Sequence, residues 1–505
     1  KTHKFVHSII NDINNLNIDG AASNKLSLLI KQIERGNDRI LVSPIVNTLD
    51  VSSVVKRWDV IFNSRSAILK DEVLANERQN RLSYSPRSVA IPWSSRRSSV
   101  EAYFVPDKLK PFSITLEASN STGRLRPISL ASALKYCKNN TSSGLPFMQK
   151  KGVVKQELLN RFSSYLQRKD PCVLYTRTQE NSKTRSVWGY PFADTLFEMR
   201  YFVPLLHHQK RLPWRTALNS PEHTSRRITN LIRKSRTKAY GKRILSIDFS
   251  SYDSTVKLEL QRVAFSYIKN LFQPGYADEI QYIADRFSTI GLVSPDGILT
   301  GRHGVPSGST FTNEIDSIVQ YLLAKQYGIS DDEMDIQGDD GVYLVESPED
   351  FVRYLESFGL TVNQTKSSVS KYYCQYLQNI YSYNYKETDG TIRGIYSTYR
   401  ALCRIIYPER YVPYIDYGID GASYNSIRAI SILENCRYHP MFEELVRFVY
   451  SLDKYGLRFS RSSLLNYIKY QKQATGTEGI FNYRVGDDVR GIASFATSKL
   501  LSKLQ

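Results

Sequence analysis

The sequence predicts an α+β fold in which an antiparallel β-sheet is backed by helices. Two patterns in the centre of the chain carry this prediction. Residues 243–249 alternate as a strand does, and residues 334–345 form two short apolar runs around a Gly-Asp-Asp-Gly turn, which is typical of a β-hairpin. Two stretches with helical apolar spacing lie between them. The order strand, helix, helix, hairpin, helix, strand fits one antiparallel sheet covered by helices.

The first half of this central region predicts a strand, a helix and a tight hairpin. After the strand at 243–249, apolar side chains recur at helical spacing from 260 to 271. A Pro-Gly pair at 274–275 predicts the end of that helix. The Pro-Asp-Gly sequence at 295–297 stands between two apolar pairs and predicts a hairpin turn.

The second half predicts a helix, the Gly-Asp-Asp-Gly hairpin, a further helix and a returning strand. The apolar stripe of the first helix runs from 315 to 323. Ser347 has the position of an N-cap, Pro348 follows it at the first helical position, and Gly359 ends the helix. Residues 360–362 predict the strand that returns to the sheet.

Composition and charge narrow the classes of function. The chain has 505 residues, which corresponds to about three domains. Its 68 Lys and Arg exceed its 49 Asp and Glu, so the net charge is +19 at pH 7 and an anionic partner is favoured, nucleic acid before a membrane surface. No apolar run reaches the length of a spanning helix, so we expect no membrane segment. The five Cys lack zinc-finger spacing, which predicts reduced thiols.

The flanking parts of the chain give weaker patterns. Residues 1–60 predict mixed helix and loop, and the Ser- and Arg-rich stretch 83–100 predicts a surface loop. Residues 226–243 place eight Lys or Arg beside a helical apolar stripe, which fits either a solvated helix face or an RNA contact. Beyond 385 the pattern is mainly helical, with amphipathic candidates at 424–438 and 441–455.

Asp248, Asp339 and Asp340 are the candidate catalytic residues, because each lies at the end of a predicted strand. Phosphoryl transfer with two divalent ions about 3.5–4 Å apart needs carboxylates on rigid neighbouring strands, and ions of the Mg²⁺ class prefer such oxygens. Glycine on each side of the turn lets the carboxylates approach without Cβ crowding. A strand-end cap and an ordinary hairpin turn are the alternatives. A second Gly-Asp-Asp at 486–488 has shorter apolar flanks and predicts a loop.

Several motifs in a fixed order resemble those of viral RNA-dependent RNA polymerases. D-F-S-S-Y-D (248–253), S-G-S-T-F-T-N (307–313) and Q-G-D-D (337–340) are similar to the palm motifs A, B and C of that family. The weaker matches are K-T-R-S-V-W-G-Y-P (183–191) to motif F, T-S-S-G-L-P (141–146) to motif G, and 360–366 and 373–382 to motifs D and E. The chain looks most like the polymerases of double-stranded RNA viruses of the picobirnavirus and partitivirus group. Within this group it resembles the picobirnavirus type most.

The resemblance implies metal ligands and nucleotide-binding groups. Asp248, Asp339 and Asp340 match the positions that hold two divalent ions, Mg²⁺ or Mn²⁺, and Lys366 matches a general acid for pyrophosphate. The implied nucleotide-binding residues are Lys183 and Arg185 at the triphosphate, Val187 at the base, and Asp253, Ser307, Gly308, Thr312 and Asn313 at the sugar and the motif B loop. The expected RNA contacts are Ser143, Gly144, Pro146 and Arg177.

The residue that completes the ribose-sensing group is open between two candidates. Asp253 matches the residue that helps to recognise the 2′-hydroxyl. Many positive-strand relatives carry Asn four residues after the motif B Thr, and here that position is Asp316, while Asn313 follows Thr312 directly. Helical spacing places Thr312 and Asp316 on one face, so either Asn313 or Asp316 could contact Asp253.

The resemblance also implies the architecture and the partners. We expect a right-hand polymerase in a closed, encircled arrangement, with a segment at 1–65 that bridges fingers and thumb, fingers at 66–243 and 262–300, palm at 244–261 and 301–385, and thumb with the C-terminal tail at 386–505. The implied partners are template and product RNA and ribonucleoside triphosphates, with a viral capsid protein as a further candidate. A monomer in the virion interior or host cytoplasm is expected.

Two other functions compete with this one. Reverse transcriptases resemble the chain in the palm, but they usually carry a bulky aromatic residue where Asp253 stands, so Asp253 favours ribonucleotides. A non-catalytic basic RNA-binding or capsid-associated protein would share the charge. The ordered series of motifs argues against the latter.

Overall fold

The computed structural model describes residues 13, 15–46, 50–116, 119–475 and 486–505. Its α-helices are α1 (Gly20–Arg35), α2 (Val51–Leu69), α3 (Glu72–Gln79), α4 (Trp93–Glu101), α5 (Leu130–Leu134), α6 (Lys151–Asn160), α7 (Phe162–Gln167), α8 (Phe192–Gln209), α9 (Pro221–Arg236), α10 (Tyr252–Thr255), α11 (Leu258–Leu271), α12 (Ala277–Thr289), α13 (Thr312–Tyr327), α14 (Pro348–Glu356), α15 (Thr398–Ile406), α16 (Gly421–Leu433), α17 (Phe442–Leu452), α18 (Arg461–Thr475) and α19 (Ala496–Leu504). Its strands are β1 (Cys172–Thr178), β2 (Thr184–Gly189), β3 (Arg243–Ile247), β4 (Leu292–Ser294), β5 (Gly297–Leu299), β6 (Met334–Gln337), β7 (Asp340–Val345), β8 (Ser368–Ser370), β9 (Tyr373–Tyr376), β10 (Asn379–Lys386) and β11 (Ile392–Tyr396).

The central sheet has the order β6-β7-β3-β8, and every neighbouring pair in it is antiparallel. This confirms the predicted α+β class and the strand and hairpin at 243–249 and 334–345. The predicted strand at 360–362 is wrong, because Val362 makes only an isolated bridge to Phe249 and β8 pairs with β3 instead. Leu360 and Val362 are buried in the core. Their apolar alternation therefore arises from packing against the core and not from pairing in a sheet.

Helices α11 and α13 cover one face of the central sheet. Their apolar stripes, which include Leu260, Ile268, Ile315 and Leu322, are buried in one core with the side chains of the sheet. Burial of each such side chain contributes about 1.5–3 kcal/mol to folding. The packing therefore fixes α13 against β6 and β7, whose connecting turn holds the Gly-Asp-Asp sequence.

A second sheet, of order β2-β1-β4-β5, includes the predicted hairpin at 295–297. Helix α4 packs on it, so the prediction of a surface loop at 83–100 is wrong for its second half. Arg96 is 2% exposed, and its guanidinium donates to the hydroxyls of Thr176 at 2.7 Å and Ser186 at 3.1 Å. The stretch predicts a surface loop because it is polar. Its Arg96 is instead buried, because the hydroxyls of Thr176 in β1 and Ser186 in β2 accept its hydrogen bonds.

The C-terminal helices share a core with an N-terminal helix. Trp58 and Phe62 of α2 pack against Phe448 of α17 and Tyr399 of α15, with ring centroids 5.6 Å and 5.0 Å apart. The predicted helices at 424–438 and 441–455 correspond to α16 and α17. The third sheet, of order β11-β10-β9, lies between this region and the central sheet in the chain. Across the residues that the structure describes, no helix is long and apolar enough to cross a membrane.

Candidate active site

Asp248, Asp339 and Asp340 lie at one end of the central sheet. Asp248 directly follows β3, Asp339 lies in the turn between β6 and β7, and Asp340 is the first residue of β7. Ile247 pairs with Gly341, so the same register places Asp248 opposite Asp340. Paired Cα atoms of neighbouring antiparallel strands are about 4.5–5.5 Å apart. The fold therefore brings the three predicted carboxylates to one place.

The surroundings of these carboxylates concentrate negative charge. Burial, followed by the charges of Asp339 and Asp248, raises the pKa of Asp340 to about 8. Burial and the charge of Asp253 raise the pKa of Asp339. The backbone N–H of Leu377 donates to Asp340 at 2.8 Å and holds this carboxylate in place. Mutual repulsion of this kind is relieved when cations bind between the carboxylates.

Basic side chains lie beside the carboxylates. Burial raises the pKa of Asp248, and the ammonium groups of Lys366 and Lys183 partly offset that rise. The pKa of Lys183 is lowered by burial and then by the positive charge of Lys366. The charge of Arg185 acts on Asp339. Cations that repel one another next to a cluster of carboxylates form a site suited to a phosphate chain bound with metal ions.

The loop at 307–312 is held by β2. The Trp188 N–H donates to the Ser307 carbonyl at 2.9 Å. A Cβ on Gly308 would lie 2.1 Å from the carbonyl oxygen of Trp188, so only glycine fits there. The Thr312 hydroxyl donates to the Pro306 carbonyl at 2.9 Å and closes the loop onto α13.

A buried carboxyl group, Glu198, anchors the same loop from α8. It accepts the hydroxyl of Ser309 at 2.6 Å and the N–H of Thr310 at 3.1 Å. Burial raises the pKa of Glu198 to about 8. The loop is therefore fixed from two sides before any ligand arrives.

Asp253 belongs to a hydrogen-bonded group that includes Asp316 and not Asn313. The Ser307 hydroxyl donates to Asp253, and the Tyr103 hydroxyl lies 3.1 Å from that of Ser307. Burial, followed by the charge of Asp253, raises the pKa of Asp316 well above its usual value, and the two carboxyl groups share a hydrogen bond. Of the two candidates, Asp316 is therefore the residue that lies against Asp253.

One face of α13 holds the Gly-Asp-Asp turn. Asn313 lies against Gly338, where a Cβ would be 2.5 Å from the Asn313 Oδ1 atom. The Ser317 hydroxyl accepts the Gly338 N–H at 2.7 Å, and the Gln320 amide donates to the Gly338 carbonyl at 2.7 Å. Positions 313, 317 and 320 are polar residues at helical spacing within an apolar helix, a signal that could have revealed this role from sequence.

A fully buried ion pair supports the same helix. Arg215 donates to both carboxylate oxygens of Glu314 at 2.7 Å, and neither side chain is exposed to solvent. Arg215 also donates to the Gln337 side chain at 3.2 Å, two residues before Asp339. Arg215, Glu198 and Tyr103 were missed from sequence because their partners lie about a hundred residues or more away in the chain.

Of the four residues expected to contact RNA, two are buried and two are at least partly exposed. Ser143 is buried, and its hydroxyl donates to the Gln149 carbonyl at 2.7 Å, so its side chain shapes the loop. A Cβ on Gly144 would lie 2.6 Å from the Tyr190 carbonyl oxygen. Pro146 is partly exposed, and Arg177 is exposed and forms an ion pair with Glu409 at 3.6 Å. Arg177 also stands directly opposite Arg185 in the β1–β2 ladder.

The second Gly-Asp-Asp has a different setting. A Cβ on Gly486 would lie 1.9 Å from the Ser431 carbonyl oxygen, so the turn is pressed against α16. Asp488 accepts the Arg490 N–H at 3.1 Å and forms an ion pair with its guanidinium at 2.7 Å. In this second copy, Asp488 caps the short 3-10 helix Val489–Ser494. This setting agrees with the predicted loop.

The predicted metal site has suitable donor atoms, but its side chains are not yet close enough together to coordinate an ion. Within the described ranges, no three His, Cys, Asp or Glu side chains lie close enough together to hold an ion as they stand. The donors of Asp248 and Asp339 are carboxylate oxygens on adjoining strands, which is the chemistry that Mg²⁺ and Mn²⁺ require. The residues present therefore fit the ions.

Three comparisons with known proteins agree on the family. A family model described as "Viral RNA-dependent RNA polymerase" matches residues 82–451. The "Potential RNA-dependent RNA polymerase" of Human picobirnavirus is 30% identical over 421 residues, 77% of this chain and 78% of that protein. The "RNA-directed RNA polymerase" of Cryptosporidium parvum virus 1 is 30% identical over 228 residues, which cover 40% of this chain and 41% of the relative.

Solved structures agree on the fold. The crystal structure of the RNA-dependent RNA polymerase of a human picobirnavirus superimposes with a TM-score of 0.81 at 24% identity, over 99% of this chain and 100% of that one. Its insertion loop deletion mutant gives a TM-score of 0.79 at 23% identity, with the same coverage. The right-hand polymerase fold and the family resemblance predicted from the motifs are confirmed. The chain belongs to the viral RNA-dependent RNA polymerase family, whose members synthesise RNA on an RNA template.

Proposed function

We propose that this chain joins ribonucleotides at the site formed by Asp248, Asp339 and Asp340. RNA-templated RNA synthesis is the activity of the family, and the assignment of these residues is the proposal. The observation that carries it is the β3–β7 register, which sets Asp248 opposite Asp340 with Lys183 and Lys366 alongside. In the reaction the 3′-hydroxyl oxygen bonds to the α-phosphorus of the incoming nucleotide and pyrophosphate leaves.

Asp248 and Asp339 would hold two divalent ions, Mg²⁺ or Mn²⁺, with Asp340 as the adjoining carboxylate. When bound, such ions activate the attacking hydroxyl and stabilise the leaving pyrophosphate. Asp340 accepts the Leu377 N–H, so its carboxyl group is held at a fixed position beside the other two.

The basic residues would bind the triphosphate. Lys183 and Arg185 neutralise its charge, and Lys366 gives a proton to the pyrophosphate oxygen that is released from the α-phosphorus. Their placement near Asp248 and Asp339 supports these roles. Val187, which is partly exposed on the same strand as Arg185, would pack on the base.

Asp253, Ser307 and Asp316 would recognise the ribose. One oxygen of Asp316 is buried and has no hydrogen-bond partner among the described residues, and the neighbouring Asp253 acts as an acceptor, as it does for the Ser307 hydroxyl. An acceptor placed near a 2′-hydroxyl discriminates against a sugar that lacks it, because the buried polar group is then left unpaired. Gly308 and Thr312 shape the loop that carries Ser307.

The packing of the N-terminal helices supports the expected domain plan. The described part of the N-terminal segment touches both sides of the expected hand: Ile33 of α1 packs with the β1 sheet, and Trp58 of α2 packs with the C-terminal helices. Such a bridge supports a closed, encircled arrangement of fingers (66–243 and 262–300), palm (244–261 and 301–385) and thumb (386–505). Template RNA would pass Pro146 and Arg177. We further propose that the chain acts as a monomer, inside the virion or in the host cytoplasm, and that a viral capsid protein is a partner.

We expect the chain to extend a primer–template with ribonucleotides, only when Mg²⁺ or Mn²⁺ is added, and to use deoxyribonucleotides poorly. Asp253→Ala should lower the ratio of ribonucleotide to deoxyribonucleotide kcat/KM by about 10-fold or more, since it removes an acceptor for the 2′-hydroxyl. Glu349→Ala, an exposed change on α14, serves as the control. Efficient deoxyribonucleotide use by the unaltered chain would point to reverse transcription instead.

RNA binding should weaken steeply with salt and depend little on sequence. The net charge of +19 makes phosphate contacts the main source of affinity. Each contact should steepen the slope of log affinity against log salt by about 0.9 for duplexes and about 0.7 for single strands. A filter-binding titration at several salt concentrations measures this slope, and a flat response would contradict the prediction.

A further inference from the structure

A basic pocket opens between the C-terminal end of α9 and the β10–β11 hairpin. We define it by Arg233, Arg236, Tyr383, Lys386 and Gly390, and its volume is about 510 Å³. Part of it comes from the basic stretch 226–243, for which the sequence left a solvated face and an RNA contact as equal alternatives. The pocket is separate from the residues proposed for catalysis.

Cations and aromatic rings alternate from the basic pocket to Tyr372 beside it. The guanidinium carbon of Arg236 lies 3.3 Å from the centre of the Tyr383 ring, and the Lys386 ammonium lies 3.5 Å from the same centre. Arg236 also approaches the ring of Tyr372, at 5.6 Å. Tyr372 is 58% exposed, so its ring is available for stacking. Alternating cations and exposed rings are typical of surfaces that bind single-stranded nucleic acid.

The cations of the basic pocket lack acidic partners. In the described chain, no carboxylate lies within ion-pair distance of Arg233, Arg236 or Lys386. The other cations of α9 differ, because Arg226 pairs with Glu222 at 3.4 Å and Lys234 pairs with Asp332 at 2.8 Å.

The acidic groups of the hairpin itself are occupied. Glu387 pairs with Arg393 at 3.0 Å, and Asp389 accepts the Thr391 N–H at 2.9 Å. The carbonyls at the C-terminal end of α9 favour cations in its last turn. That effect does not account for Lys386, which comes from a strand. A cluster of positive charge assembled from two elements is stabilised by an anion that binds between them.

The basic pocket lies well away from the catalytic carboxylates. Strand β10 begins at Asn379, beside the turn whose Leu377 N–H contacts Asp340, and ends at Lys386. Seven steps along an extended strand span about 20 Å. An RNA segment in the pocket would therefore be distinct from the nucleotide that is being joined.

We propose that the basic pocket binds single-stranded RNA outside the active site, with a phosphate held by Arg233, Arg236 and Lys386 and a base stacked on Tyr372. The ligand class follows from the RNA synthesis of the family. The position of the pocket does not depend on which carboxylates are catalytic. Such a site holds the template or a released strand against the body of the polymerase.

The test compares two double variants in RNA binding. Arg236→Ala with Lys386→Ala should weaken binding of a labelled single strand of about 20 nucleotides by about tenfold at low salt, and should lower the salt slope by about 0.7 for each phosphate that is no longer neutralised. Arg161→Ala with Arg226→Ala is the matched control. It removes two exposed arginines that each pair with a Glu four residues earlier, and it should change affinity less than about twofold.

Two further measurements separate this proposal from the proposed function. Primer extension at saturating RNA should be unchanged in Arg236→Ala with Lys386→Ala, because that assay reports the carboxylate site. RNA carrying 4-thiouridine should crosslink to a peptide that contains Tyr372, and Tyr372→Ala should abolish that crosslink. Wild-type affinity and slope in the pocket variant, an absent crosslink, or an equal loss of affinity for duplex RNA would each overturn the proposal.

Discussion

Asp339→Ala will abolish nucleotide incorporation, and Asp487→Ala will leave it intact. Each residue is the first Asp of a Gly-Asp-Asp sequence. Asp339 lies in the β6–β7 turn, where β7 pairs with the strand that ends at Asp248. Loss of a metal-ligating carboxylate removes the ion that activates the attacking hydroxyl. Asp487 adjoins a turn that is pressed against α16, next to the ion pair of Asp488 and Arg490.

Primer extension with both variants at matched protein and either Mg²⁺ or Mn²⁺ measures the difference. RNA affinity without nucleotide should hardly change in either variant, since phosphate binding depends on Lys and Arg. Affinity therefore serves as the control for folding. Full activity in Asp339→Ala, or none in a folded Asp487→Ala, would mean that the active site lies on another hairpin.

The sequence sufficed to locate the carboxylates because their signal is local. A strand that ends at Asp248 and a hairpin that turns at Asp339 and Asp340 are each readable within a dozen residues. The pairing of these two elements could be expected from the family resemblance. The β3–β7 register itself needed the structure, because both faces of these strands are buried and no alternation of buried and exposed residues marks it.

The parts that escaped prediction depend on contacts between distant segments. Arg96 reads as a surface residue until β1 and β2 bury it, and Glu198 reads as a helix charge until the loop at 307–312 folds onto it. The neighbours of Asn313 and Asp316 also needed the structure. Both residues lie on α13, but its orientation directs Asn313 to Gly338 and Asp316 to Asp253. Helical spacing shows which residues share a face of one helix, but it does not show which residues of other elements that face contacts.

Glu314→Leu will destabilise the protein by about 3–5 kcal/mol, because it leaves the charge of Arg215 buried without its partner. Neither side chain of the pair is exposed, and two hydrogen bonds of 2.7 Å join them. Arg215 also holds Gln337, which pairs with Asp340 in the hairpin. Incorporation should therefore fall together with the unfolding midpoint.

Urea unfolding followed by tryptophan fluorescence, together with primer extension, measures both effects. Glu443→Leu is the matched control, because Glu443 forms an exposed i,i+4 ion pair with Arg447, and such pairs contribute only about 0.3–0.5 kcal/mol. Arg215→Met combined with Glu314→Leu should recover most of the lost stability, since apolar residues of similar volume can replace a buried ion pair at little cost. If Glu314→Leu unfolds at the same urea concentration as Glu443→Leu, the buried pair does not support α13. Recovery of stability in the double variant without recovery of activity would show that Arg215 positions the hairpin through Gln337 as well as stabilising the fold.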